Sequence, residues 1–213
     1  MAAAAAAAAV AAASSQASQP AGRVAGASRG IGRGIAAHLF ALGASLVLGR
    51  FGFGAGAKIF VANAGLLDDR YPLSNTPADF DRTIAVNLRG AFLCLREAAN
   101  RFPRGGRIVA ITSSVVASLP PGYSAYTASK AAVEMVRTMA KELKGTGITA
   151  KLRRAGPRGD GHDEAWVKRT VDANPTGRLG DPGDIAAMVG FLCTDAAEWT
   201  NGQVIRVNGG YVS

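Results

Sequence analysis

Tyr126 and Lys130, four residues apart, are the side chains in this sequence best suited to proton chemistry. At that spacing on a helix, the two side chains lie on one face, one turn from each other. A free tyrosine has a pKa near ~10. A nearby cation favours the phenolate, so it would make Tyr126 a better proton donor to a developing alkoxide. Solvated helix faces also carry such pairs, so the pair alone does not define a site.

The segments on either side of this pair make the pattern more specific. Residues 107–111 (Arg-Ile-Val-Ala-Ile) predict a buried strand that ends near Ser113 and Ser114. Open α/β sheets bind ligands at the carboxyl ends of their strands, so a hydroxyl there is well placed. Beyond the pair, apolar residues at three- and four-residue steps predict one buried helix stripe, formed by Ala128, Ala132, Met135, Met139 and Leu143.

With a strand-end serine leading into a helix that carries Tyr-x-x-x-Lys, the chain resembles the short-chain dehydrogenase/reductase family. The resemblance implies an α/β fold with a doubly wound, Rossmann-like parallel sheet. It also implies reversible hydride transfer between NADP(H) and a carbonyl or alcohol. NADPH-dependent aldehyde or ketone reductases and 3-oxoacyl-carrier-protein reductases are the members it is most similar to. The substrate would then be a small carbonyl compound.

The resemblance implies a role for each residue of the site. Tyr126 would protonate the carbonyl oxygen, while Lys130 would lower the tyrosine pKa and bind the nicotinamide ribose. Ser114 would hydrogen-bond the substrate oxygen, with Ser113 as the rival. We prefer Ser114 here because it aligns with the family's Ser-Val-Val.

A glycine-rich segment, residues 26–32, precedes a predicted helix. Glycines let the backbone approach a diphosphate, and a helix amino terminus offers N–H donors and a positive dipole end. Gly26, Gly30 and Gly32 match the family spacing G-x-x-x-G-x-G. The predicted cofactor-binding residues of this loop are Gly26, Ser28, Arg29, Gly30, Ile31 and Gly32.

Two arginines indicate NADP(H) as the cofactor. Family members with a basic residue at the position of Arg29 tend to use NADP(H), because it pairs with the 2′-phosphate. The second predicted strand, residues 45–48, is followed by no acid that could hold a ribose 2′-hydroxyl. Arg50 follows instead, and we predict that it also binds the cofactor.

Asn63, Ala64 and Gly65 follow another predicted strand and match the family's Asn-Ala-Gly beside the cofactor. Between Arg50 and this strand the family has a helix, a strand and a second helix, whereas this chain has only a short glycine-rich link. The first strand is also short, because only Val24 and Ala25 precede the glycine loop as apolar residues. We therefore predict an incomplete sheet.

A further helix is predicted to begin at Thr76, which is followed by proline and then by an acid at the third position. Asn87 lies near its apolar stripe and has two interpretations. It is a core amide bonded to backbone, or, as the resemblance implies, it holds a water that relays protons to the lysine. The predicted stripe consists of Phe80, Ile84, Leu88, Ala91, Leu95 and Phe102.

The sixth predicted strand carries Lys151, Arg153 and Arg154, where the family has Asn-x-Val-x-Pro-Gly. Cations in a buried strand are costly. One inserted base would convert codons for Asn-Cys-Val-Ala-Pro-Gly-Pro-Val-Ala-Thr-Asp-Met into residues 151–162, so we interpret this stretch as a frame slip. We expect these departures to lower stability and impair activity.

Composition limits the partners and the compartment. Residues 1–20 are a low-complexity tail, predicted to be disordered, and residues 21–213 form a single domain. The net charge of +9 suggests nucleic acid, but the basic residues are scattered, so we expect none. We also expect no membrane contact, since no apolar run approaches the ~20 residues of a span.

Two cysteines make no disulfide framework, which favours the cytoplasm, with the plastid as the alternative. His38 and His162 have no metal-ligand spacing, so no metal is expected. A folded chain would form a homo-oligomer. The alternative function is a non-catalytic remnant of the family that acts in dimerisation through the helices after Thr76 and Ser124.

Overall fold

The computed structural model describes residues 21–47, 57–67, 76–155 and 163–212. The tail at residues 1–20, Arg50 and His162 lie outside these ranges. For Arg153 and Arg154, the structure describes the backbone but not the side chains.

The described residues form one sheet of six parallel strands in the order β2-β1-β3-β4-β5-β6. β1 is the second strand from one edge, with β2 on its outer side and β3 on its inner side, so the strand order reverses direction between β1 and β3. The carboxyl ends of β1 and β3 therefore border the crevice where such sheets bind ligands. The strands are β1 Ala21–Ala25, β2 Ser45–Val47, β3 Ala57–Ala62, β4 Arg107–Ser113, β5 Thr149–Ala155 and β6 Val204–Val207.

Helices connect these strands and cover the sheet. The α-helices are α1 Gly30–Ala41, α2 Pro77–Ile84, α3 Gly90–Arg101, α4 Val115–Ser118, α5 Ser124–Ala131, α6 Met135–Glu142, α7 Glu164–Asp172 and α8 Pro182–Leu192. A π-helical segment, Ala85–Arg89, joins α2 to α3. Turns of 3₁₀-helix lie at Ala132–Glu134 and Asp195–Thr200. No helix in these ranges is long and apolar enough to cross a membrane.

Alternate residues of the central strands point to opposite faces of the sheet and feed two separate cores. Val61 and Val109 belong to the core beneath α1 and α8, whereas Phe60 and Ile108 belong to the core beneath α3 and α6. Helices thus pack on both faces of a parallel sheet. The predicted doubly wound α/β class is confirmed.

The short first strand is also confirmed, although β1 begins at Ala21, three residues before Val24. Ala21 and Gly22 pair with β2 on one side and with β3 on the other. Hydrogen bonds on both edges support strand geometry that side-chain propensity alone does not predict.

Thr76 begins α2 as predicted. Its hydroxyl accepts a hydrogen bond from the Asp79 backbone N–H at 3.2 Å, and the Asp79 carboxylate accepts one from the Thr76 N–H at 3.0 Å. This reciprocal capping box satisfies two donors that the helix itself cannot pair.

The prediction of a buried apolar stripe along this helix is wrong at its start, because Phe80 is 46% exposed. The π-helical segment adds a residue to one turn, so the buried face shifts relative to an ideal helical period. The buried side is formed by Thr83, Asn87, Cys94, Leu95, Ala98 and Phe102.

The stripe predicted around the Tyr-x-x-x-Lys pair is also displaced. Ala128 and Ala132 are exposed, and the buried face of this helical region consists of Ala125, Ser129, Val133, Val136 and Ala140. The periodicity drawn through the methionines overlooked Ser129, whose hydroxyl donates to the Tyr126 carbonyl oxygen at 2.7 Å and is thereby satisfied inside the core.

Lys151 lies in the middle of β5 and is 0% exposed, as predicted for a cation in a buried strand. Its Nζ donates to the Leu192 carbonyl oxygen at 2.9 Å. Arg107, also buried, lies on the neighbouring β4 and pairs with Asp195 at 2.7 Å. Burial, reinforced by Arg107, lowers the pKa of Lys151 to about 8.

Candidate active site

The last residues of β4 and the helix α5 are held together at the carboxyl ends of the strands. The buried Thr112 hydroxyl donates to the Lys130 carbonyl oxygen at 2.8 Å. Ser113 is the last residue of β4, and α4 and α5 follow directly and pack on each other. This arrangement brings the strand-end serines and the Tyr126–Lys130 pair to the same place.

Tyr126 and Lys130 lie one helical turn apart, as their spacing predicts. The Lys130 Nζ is 5.8 Å from the centroid of the Tyr126 ring. Lys130 is buried, and its Nζ lies 3.5 Å from the Ile111 carbonyl oxygen. The ammonium group is thus confined between α5 and β4, close to the phenol.

Burial governs the protonation of both groups. It lowers the pKa of Lys130 to about 8, because an ammonium is disfavoured away from water. Burial also raises the pKa of Tyr126, a hydrogen bond with Ser113 lowers it, and Tyr123 raises it further. The upward direction opposes the expected effect of Lys130 on the phenol. Tyr126 therefore keeps its proton at neutral pH and can donate it.

The two candidate serines have different environments, and the geometry favours the rival. The Ser113 side chain acts on the Tyr126 hydroxyl and lowers its pKa, and the Ser113 hydroxyl accepts from the Val115 N–H at 3.4 Å. The Ser114 hydroxyl is buried and has no hydrogen-bond partner among the described residues. Since β4 ends at Ser113, the strand-end argument points to Ser113 once the boundary is known.

Asn87 is fully buried, and its amide is engaged with protein groups. Its Oδ1 accepts from the Leu66 N–H at 2.6 Å, and its Nδ2 donates to the Leu66 carbonyl oxygen at 2.7 Å and to Ser129 Oγ at 3.0 Å. The side chain therefore matches the core-amide interpretation. It ties the loop after β3 to the π-helical segment and to α5, while the water relay remains a prediction.

The glycine loop follows β1 and leads into α1 with very little free space. Gly26 has φ +72°, and a side-chain carbon at position 32 would overlap the Gly26 carbonyl oxygen. Only glycine fits both requirements. The loop contacts the segment after β3 through Asn63 Nδ2, which donates to the Gly26 carbonyl oxygen at 3.4 Å.

The amino terminus of α1 suits an anion. Arg29 precedes the helix with an extended backbone and no side-chain cap, and the first turn contains no acid. The first N–H groups and the positive dipole end therefore have no anionic partner from the first turn itself. Ser28 and Arg29 are exposed beside this terminus, and Ile31 is partly buried against the core.

The loop after β3 reaches Lys130. A side-chain carbon at position 65 would lie 2.9 Å from Lys130 Nζ, so Gly65 allows the lysine to approach. Ala64 in turn lies against Gly26. The carboxyl ends of β1, β3 and β4 thus place the glycine loop, the Asn63-Ala64-Gly65 loop and the Tyr126–Lys130 pair around one crevice.

Of the predicted site residues, Arg50 alone lies outside the described residues. Sequence reasoning missed Ser129 and Leu66, which hold Asn87 in place. Their signal was weak, since a buried serine and a loop backbone have no pattern of their own. Within the described ranges, no group of three or more His, Cys, Asp or Glu residues is placed to hold a metal ion.

Comparison with known proteins agrees with this geometry. A family model described as enoyl-(acyl carrier protein) reductase matches residues 54–212. The chain belongs to the short-chain dehydrogenase/reductase family.

The curated relatives include plant proteins. The chain is 51% identical over 170 residues, 75% of its length, to the NADPH-dependent aldehyde reductase-like protein, chloroplastic, of Arabidopsis thaliana, of which it covers 63%. It is also 51% identical over 164 residues, 72% of its length, to a short-chain type dehydrogenase/reductase of Picea abies, of which it covers 60%. The chain therefore spans less than two thirds of the length of these relatives.

Solved structures share the fold over nearly the whole chain. A putative short-chain alcohol dehydrogenase from Sinorhizobium meliloti has a TM-score of 0.84 and 27% identity, with 92% of this chain and 97% of that chain covered. A short-chain dehydrogenase from Burkholderia cenocepacia in complex with NADP has a TM-score of 0.80 and 26% identity, with 90% and 97% covered.

Proposed function

We propose that this protein is an NADP(H)-dependent oxidoreductase that reduces the carbonyl group of an aldehyde or ketone to an alcohol. The observation that carries the proposal is the convergence of Ser113, Tyr126 and Lys130 beside the glycine loop. The aldehyde reductase named among the relatives and the NADP complex among the solved structures support it. The direct test is NADPH-dependent loss of an aldehyde with the purified full-length chain.

The residues of the crevice fit a dinucleotide cofactor. The glycine loop and the uncapped terminus of α1 would hold the diphosphate, and Asn63, Ala64 and Gly65 would flank the cofactor. Lys130 would hold the nicotinamide ribose, and Arg29 and Arg50 would pair with the 2′-phosphate. When bound, NADPH supplies the hydride.

The side chains of this chain would supply the proton and the orientation. Ser113, at the end of β4 beside Tyr126, would donate its hydroxyl hydrogen to the carbonyl oxygen of the substrate and hold it within reach of the phenol. Tyr126 would give its proton to the developing alkoxide. Lys130 would stabilise the resulting phenolate as the nearest cation, and Asn87 would keep the Leu66 loop in register with α5.

The two serines give a first prediction. Ser113→Ala is expected to lower kcat for carbonyl reduction by about a hundredfold, because a hydrogen-bond donor to the substrate oxygen is lost. Ser114→Ala should change kcat by less than about threefold, since removing a buried hydroxyl without a partner costs little. Steady-state kinetics of both variants decide the assignment, and a larger loss in Ser114→Ala would restore the preference drawn from sequence.

Cofactor choice gives a second prediction. Arg29→Ala is expected to weaken NADPH binding by about tenfold to a hundredfold, the value of a charge-assisted hydrogen bond, and to leave NADH binding unchanged. Isothermal titration with both cofactors measures this. Arg33→Ala is the matched control, because Arg33 is exposed on the same helix, outside the loop. Equal losses for NADPH and NADH in Arg29→Ala would show that Arg29 does not bind the 2′-phosphate.

A second candidate function, dimerisation without catalysis, is favoured by one observation. The large apolar side chains Phe80, Val86, Phe92 and Leu93 are exposed along α2, the π-helical segment and α3. A homo-oligomer that covers them fits either function. Gel filtration combined with an NADPH-binding assay separates the two functions, since a dimer that binds no NADPH supports the second.

The chloroplastic relatives support a plastid location as the alternative to the cytoplasm.

A further inference from the structure

Residues 114–125 connect the two ends of the candidate active site. The segment begins directly after Ser113, whose side chain lowers the pKa of Tyr126, and it ends directly before Tyr126 itself. It contains no charged residue. Because both of its ends are fixed at the phenol, the segment borders the space through which a substrate reaches Ser113 and Tyr126.

Leu119 is the unusual residue of this segment. It ends α4 with φ +47° and ψ +51°, and no other non-glycine residue in the described ranges has a positive φ. Its side chain is 67% exposed. Glycine or asparagine is the usual choice for this left-handed conformation. A large apolar side chain here is disfavoured both by the backbone and by its exposure to water.

Tyr123 extends this apolar surface to the catalytic tyrosine. Its ring meets the Tyr126 ring edge to face, with the centroids 6.4 Å apart and the planes at 74°. Pro120 and Pro121 stiffen the backbone between Leu119 and Tyr123 by fixing φ. Leu67, another exposed leucine, follows the Leu66 backbone that Asn87 binds. The segments next to the phenol thus present apolar side chains at Leu119, Tyr123 and Leu67, and the polar groups beside it are Ser113 and the buried Lys130.

From these observations we propose that Leu119 and Tyr123 form an apolar lip that selects the substrate. The lip favours uncharged aldehydes or ketones with an alkyl chain or a ring, and disfavours carbonyl compounds of the same length that carry a carboxylate or phosphate. An apolar substrate covers Leu119 when bound, whereas a charged one loses water without gaining a partner. The proposal rests on the proposed carbonyl reduction and adds its substrate class.

The test compares hexanal with the aldehyde of the same chain length that ends in a carboxylate. For the full-length chain, kcat/KM is expected to be at least about tenfold higher for hexanal. Leu119→Asn, which suits the left-handed backbone but is polar, should reduce this ratio by about fivefold, mainly through KM, with NADPH affinity unchanged. Leu42→Asn is the control, since Leu42 also ends a helix and is partly exposed. A preference for the carboxylate, or an unchanged ratio in Leu119→Asn, overturns the proposal.

A binding measurement keeps the substrate class separate from the catalytic proposal. Hexanamide presents the same chain and a carbonyl that is not reduced, so its affinity is measured by titration whether or not turnover is detected. Weaker hexanamide binding in Leu119→Asn, with binding retained in Leu42→Asn, supports the apolar lip even when the reductase assay detects no turnover. Equal hexanamide binding by the wild type and both variants overturns the apolar lip. A reductase assay that detects no turnover counts against the proposed function alone.

Discussion

Replacing Tyr126 by phenylalanine is expected to lower kcat for NADPH-dependent aldehyde reduction by about a hundredfold to ten-thousandfold, the usual contribution of a general acid. The substitution removes one oxygen and keeps the ring, so the contacts with Tyr123 and Lys130 remain. Because burial keeps the Tyr126 proton in place at neutral pH, the wild type has this proton to donate and the variant does not.

The measurement is the rate of NADPH oxidation at saturating aldehyde, together with the affinity for NADPH. The cofactor affinity should change little, since the lost oxygen acts on the substrate. Tyr211→Phe is the matched control, because it removes a phenol oxygen from the carboxyl-terminal loop. Full turnover in Tyr126→Phe would remove this residue from the mechanism.

Replacing Lys151 by methionine is expected to raise the free energy of unfolding by about 3 kcal/mol at pH 7. A pKa that falls from 10.5 to about 8 on folding corresponds to roughly this penalty for the charged form. Buried charges replaced by apolar groups of similar size commonly give gains of about 1–4 kcal/mol. The unbranched methionine also fits the channel that the lysine chain occupies. Thermal unfolding should shift upward by about 6–12 °C.

The effect has a defined pH dependence. Below pH about 8, Lys151 is charged in both states, so the folded protein bears the whole penalty. Between about 8 and 10.5 the folded state loses the proton while the unfolded state keeps it, and stability rises with pH. The advantage of Lys151→Met over wild type should therefore shrink across this range. Lys130 titrates in the same window in both proteins, so the difference between them isolates Lys151.

Lys141→Met serves as the control, because Lys141 is exposed on α6 and its replacement should change stability little. Denaturant titrations at several pH values supply the free energies. If Lys151→Met is no more stable than wild type at pH 7, the lysine costs the fold nothing, and the expected loss of stability needs another source. A gain would support the expectation that the altered strand weakens the enzyme.

Local features of this protein could be predicted from the sequence. The Tyr126–Lys130 pair and the Thr76 capping box depend on residues within about one helical turn of each other, and the tight glycine loop depends on one short stretch, residues 26–32. The nearly continuous apolar runs of β3 and β4 likewise predict strands that are buried on both faces of the sheet. These features are set by backbone periodicity, which short stretches of sequence encode directly.

The difference between the two serines and the partners of Asn87 became visible only in the tertiary structure. Ser113 and Ser114 are neighbours with the same chemistry, and only the packing of α5 on β4 brings Ser113 to the phenol. The amide of Asn87 is satisfied by Leu66, 21 residues earlier, and by Ser129, 42 residues later.

The buried face of α2 and α3 was also decided by packing, because the π-helical segment shifts the helical period where Asn87 enters the core. The direction of the Tyr126 pKa shift depended on burial, which is its largest cause. In each case the sequence determined which groups were present and their local spacing. Packing between distant segments decided their orientation and their loss of water, because contacts across the core have no fixed period along the chain.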